Sequence, residues 1–163
     1  MVEEARELDN LVRVVKGKYN QGITDLMRGR YKQARTQFEV ALKTDKKFIP
    51  DGLTSFYRED IGKQLAEHLN RDGKELFARN KFFEAFAKWS DCLQFSPDDP
   101  KCQSGMMKLE KVAQDAIGMA QRFMDQGRKG KASAVLDDVK RITRPESLPY
   151  KEAVLRKQKM EME

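Results

Sequence analysis

The residues able to do chemistry are few. His68 is the chain's one histidine, so neither a histidine-rich metal cluster nor a Ser-His-Asp triad can be assembled. A single helical histidine reads as a surface or packing residue. Cys92 and Cys102 stand ten apart, without the paired spacing that zinc ligands adopt. Two cysteines are too few for a disulfide framework, so they are expected as a small buried residue and a helix-start residue, both thiols of a reducing, cytoplasmic environment. Gly127-Arg-Lys-Gly-Lys131 has the composition of a phosphate loop, but no strand precedes it and the spacing is incomplete, which favours a turn between helices. The acidic pairs Asp98-Asp99 and Asp137-Asp138 fall at a cap and on a helix surface. The expectation is a protein that is not an enzyme, with no metal and no cofactor.

Charge is more patterned than chemistry. On a chain of formal charge +6, basic residues gather at three places: Arg28, Arg30 and Lys32; Arg79 and Lys81; Arg128, Lys129 and Lys131. Each group straddles the end of one helical segment and the start of the next. Cations are favoured at helix C-termini by about 0.3–1 kcal/mol, which accounts for Arg28, Arg79 and Arg128. It does not account for Lys32, Lys81 and Lys131, which fall in a first turn where the helix dipole opposes them. A basic edge is therefore a candidate surface for nucleic acid or another polyanion.

The elements that position these residues form an internal repeat. Gly22, Gly29, Tyr31, Ala34, Phe38, Ala41 and Leu42 each meet a similar residue 51 positions on, at Gly73, Asn80, Phe82, Ala85, Trp89, Cys92 and Leu93. A weaker copy follows 47 residues later, with Ala120, Gly127, Lys129, Ala132, Leu136 and Val139 in the same slots. Such periods mark stacked supersecondary units. The pattern Gly-x6-Gly-x-Tyr-x2-Ala-x3-Phe-x2-Ala-Leu resembles the tetratricopeptide repeat (TPR), a pair of helices A and B, over about residues 15–142. The resemblance makes Gly22, Gly73 and Ala120 the small A–B contact positions and Gly29, Asn80 and Gly127 the turns. Ala34, Ala85 and Ala132 become the close-packed alanines of B. Pro97 matches the family's closing proline, whereas Lys46 stands where the first should be. Asp25 and Leu76 replace an aromatic, Lys129 replaces a tyrosine, and the period exceeds the family's ~34 residues.

Composition agrees with helices. The chain is 39% hydrophobic and 36% charged with five prolines, and no β-branched run alternates with period two, so an all-α fold is expected. No stretch is long and apolar enough to span a membrane, and the acidic N-terminus lacks a signal-peptide core. The expected architecture is one 163-residue domain, a right-handed TPR-like α-solenoid of three helix pairs and a C-terminal helix. Repeats fall near 3–46, 51–96 and 100–143, with the last helix at 149–162. Pro50 and Pro100 are expected to open the second and third A helices. Because the helical pattern runs to both termini, the chain also reads as a piece of a larger protein.

What the resemblance implies is a scaffold that binds a peptide or helical segment of a partner in a larger assembly or signalling protein. The family's groove positions correspond to Tyr19 and Ile23, Asn70 and Lys74, and Ile117 and Gln121. That set is too incomplete to clamp a terminal carboxylate, and with Phe77 it describes a mainly apolar groove. The competing expectation is the basic edge, binding nucleic acid or an anionic regulatory ligand.

Overall fold

The computed structural model describes residues 2–50, 52–53 and 55–162. Among them every regular element is an α-helix: α1 (Val2–Met27), α2 (Tyr31–Asp45), α3 (Phe56–Ala78), α4 (Phe82–Phe95), α5 (Pro100–Asp125), α6 (Lys129–Arg141) and α7 (Leu148–Met162). The chain divides into two compact units, Met1–Leu65 and Ala66–Glu163.

Three turns between helices share one geometry, and the repeat register explains it. Gly29, Asn80 and Gly127 have φ of 70°, 58° and 72°, the left-handed region that ends a helix with least strain at glycine or asparagine. In each turn the next amide reaches five residues back: Arg30 to the Asp25 carbonyl (2.8 Å), Lys81 to Leu76 (2.9 Å) and Arg128 to Phe123 (2.8 Å). These bonds satisfy carbonyls that the helix end would otherwise orphan.

In the first unit α1 packs on α2 around Val15, Ala34, Phe38 and Ala41, all at 0% exposure. Gly22 is a close-approach position, since a Cβ there would lie under 3.0 Å from the Phe38 ring. The next helix begins later than Pro50 would place it, at Phe56. Ser55 Oγ accepts from the Arg58 amide at 3.1 Å and so caps α3. Arg58 then binds the carbonyls of Ile49 (3.0 Å) and Leu53 (2.7 Å), holding the preceding segment as an irregular connector. The same guanidinium meets the buried Asp45 carboxylate at 2.8 Å, and Ser55 Oγ donates to Asp45 at 2.9 Å.

In the second unit Trp89 is the centre. Its ring is 1% exposed, its Nε1–H donates to Asn70 Oδ1 at 3.3 Å, and Gly73 and Gly105 both press on it. A Cβ on either glycine would come under 3.0 Å from the indole. Ala66, Leu69, Met106 and Leu109 complete this cluster, while Ile117, Leu136, Val139 and Ala153 form a second one where α5, α6 and α7 meet. Asp99 accepts from the amides of Lys101 (3.0 Å) and Cys102 (2.9 Å), capping α5 with Pro100 in its first turn.

The free-thiol expectation is corrected here: Cys92 and Cys102 are joined in a disulfide. The short stop at Ser96–Asp99 folds the end of α4 back onto the start of α5, and both cysteines turn inward beneath Trp89, at 0% exposure. Residue spacing alone does not convey that return.

Candidate functional site

An apolar groove of about 590 Å³ lies among α4, α5 and α6. The left-handed turn at Asn80 delivers Phe82 and Phe83 to the first turn of α4. Helix α5 contributes Val112, Ala116 and Met119, and α6 with its C-cap contributes Val135, Val139 and Ile142. Both sets step by three or four residues, so each is one helical stripe. Phe82 is tied into the core by the Phe77 ring, with centroids 5.3 Å apart. The Arg141 guanidinium lies 4.1 Å above the Phe83 ring, a cation–π contact linking the end of α6 to the start of α4.

The groove is open where it is most apolar. Met119 is 51% exposed and Phe83 37%. Lys81, Glu84, Asp115 and Asp138 line it, and Arg141, over Phe83 and 3.7 Å from Asp138, adds a guanidinium, so three carboxylates face two cations on a chain of net charge +6. The groove is thus an acidic-rimmed patch on a basic protein.

The residues singled out from the sequence have definite places. Tyr19 sits in a ring cluster with Phe38, Phe56 and Tyr57, and its hydroxyl donates to Asp60 at 2.7 Å. Burial, that hydrogen bond and the nearby carboxylate charge push its pKa up to about 12. Ile23 is half-buried on α1. Asn70 is occupied by the Trp89 indole, and Phe77 packs on Trp89 and Phe82. Lys74 is exposed. Ile117, at 2% exposure, is enclosed in the core and has no face to offer a ligand. Gln121 accepts a hydrogen bond from Arg156 of α7 and donates to Asp125 at 2.8 Å.

Of the basic residues, Arg28, Arg30 and Lys32 belong to the first unit and the other five to the second. Arg30 pairs with the nearly buried Asp25 at 2.7 Å. Arg128 stacks 4.9 Å above the Phe123 ring, and Lys81 borders the apolar groove. Arg30, Lys81 and Arg128 are the N-caps of α2, α4 and α6, and none makes a side-chain capping bond. Lys32, Lys129 and Lys131 follow in first turns and are exposed.

The remaining chemical groups are committed. His68 Nδ1 accepts from Arg71 at 2.9 Å, and burial, opposed by the Asp72 carboxylate and aided by the Arg71 and Lys88 cations, holds its pKa below the usual imidazole value. Cys92, Cys102 and Asp99 cluster within 4.8 Å, but the sulfurs are bonded to each other and Asp99 caps α5.

The α4–α6 groove was visible in the sequence only in part. In the sequence Phe83 is one of many apolar residues spread around most of the girth of its helix, and Met119 lies outside the buried stripe of α5. A methionine off the stripe is the signal that could have found it. No family model, curated protein or solved structure matches the chain.

Proposed function

We propose that the protein is a helical-repeat scaffold, built on TPR-like pairs, that binds one segment of a partner protein in the α4–α6 groove. The supporting observation is the groove itself. About 590 Å³ of mostly apolar space is within the ~300–1,000 Å³ typical of binding sites, and Met119 and Phe83 are adaptable and aromatic contacts of the kind enriched at interfaces. Asp138 is paired with Arg141, and the rim carboxylates Glu84 and Asp115 favour an occupant with apolar anchors flanked by lysine or arginine.

Selection of a displayed peptide library on the purified chain tests this. Recovered peptides should carry that pattern and lose about tenfold or more in affinity on Met119→Arg, which places a bulky cation at an exposed position without disturbing the core. No enrichment, or binding indifferent to Met119→Arg, overturns the reading. Within the second unit, the uncapped basic starts of α4 and α6 support a second one, a polyanion-binding surface. It would replace the first if duplex nucleic acid bound with a steep salt dependence and the reversals Lys81→Glu and Lys131→Glu abolished that binding.

A further inference from the structure

A second cavity, of about 250 Å³, opens beside Trp89 and is walled by Lys74 of α3 and by Pro100, Lys101, Ser104, Gly105 and Lys108 of α5. Among the described residues no aspartate or glutamate lines it. Lys101, Ser104 and Lys108 are spaced three and four apart on one helical face, and Lys74 faces them from the neighbouring helix. None of the three lysines has an ion-pair partner among the described residues. The three lysines are exposed and border one open cleft; their like charges repel one another, and an anion bound among them relieves that repulsion. The floor is the edge of the Trp89–Gly105 contact, where a Cβ on residue 105 would clash with the indole.

We infer that this cavity is a receptor for a phosphate group. Three cations call for a dianion rather than a single carboxylate, and the Ser104 hydroxyl adds a neutral donor to a fourth oxygen. The volume lies below the ~300 Å³ lower end of drug-sized pockets, which suits a phosphate with its first attached atoms. The amides at the start of α5 play no part, because Asp99 already occupies those of Lys101 and Cys102. The site is separate from the α4–α6 groove and shares none of its lining residues.

Trp89, the chain's one tryptophan, supplies the readout. Inorganic phosphate is titrated into the full chain at low ionic strength, with chloride at matched ionic strength as reference, and tryptophan emission is followed. A saturable change is expected, weakened about tenfold or more in a Lys101→Gln/Lys108→Gln variant. A Lys151→Gln/Lys159→Gln variant, which removes the same net charge from exposed positions of α7, should retain the original affinity. O-phosphoserine in a parallel titration separates the sources: binding equal to or tighter than phosphate identifies an esterified group, and binding of inorganic phosphate alone identifies the free ion. No saturable change below about 10 mM, or equal weakening in both double variants, overturns the inference.

Discussion

Replacing Trp89 with alanine probes the centre of the second unit. An aromatic of this size buries about 200 Å², worth about 5 kcal/mol at ~25 cal/mol/Å². Residual burial in the unfolded chain trims that to about 4 kcal/mol. The truncation also strands the Asn70 carbonyl, which is 5% exposed and takes its hydrogen bond from the indole; an orphaned buried acceptor costs about 1–3 kcal/mol. Relief for Gly73 and Gly105 is small, because neither backbone can close a space of that size without moving its helix. The sum, about 5–7 kcal/mol, is comparable with the whole stability of a domain. Urea unfolding followed by circular dichroism at the helical band measures it without relying on tryptophan emission. A loss below about 1 kcal/mol would refute the reasoning, since it would mean the ring is not enclosed as described. Trp89→Phe divides the terms: it keeps much of the buried area and removes only the N–H donor, so it should cost about 1–3 kcal/mol.

Two further outcomes are expected. Asp45→Ala leaves the Arg58 guanidinium facing a buried void and should cost about 3 kcal/mol, measured by the same urea titration; a change under 1 kcal/mol would show that solvent replaces the carboxylate freely. Tyr19, raised from 10.0 to about 12, loses its proton earlier in the unfolded chain than in the folded one. Its stabilising contribution is therefore complete below pH 10 and lost as pH rises through 12. The ultraviolet difference between the native chain and Tyr19→Phe should show a tyrosinate step near pH 12, and a step near 10 would contradict it.

The helices were legible because their signals are local. The periodic stripes, the turn residues Gly29, Asn80 and Gly127, and the Asp99-Pro100 start are all carried by neighbours in sequence. The delayed start of α3 was not, because it depends on Arg58 gathering carbonyls from residues up to nine positions back. Gly105 reads in the sequence as one more helical glycine, and only the packed structure shows it opposing Gly73 across Trp89. The site was less legible for the same reason. Asn70 and Ile117 have types and positions fit for a groove, yet the first is engaged by the indole and the second is enclosed by α6 and α7. Partners of that kind follow from helix crossing, which a one-dimensional pattern does not encode.

The Cys92–Cys102 bond gives the second unit a mechanical property. Pulled from its termini, the chain would release slack helix by helix, but the ten-residue separation between the sulfurs is closed to extension. At ~3.5 Å per residue that hides about 35 Å of contour length, which appears only once a reductant is present. The hidden stretch holds the α4–α5 stop and the Asp99 cap. Under load, α4, which carries Trp89, and α5, which presses on it through Gly105, therefore stay tethered at that corner, and a chain relaxing from tension starts again with its sharpest bend already made.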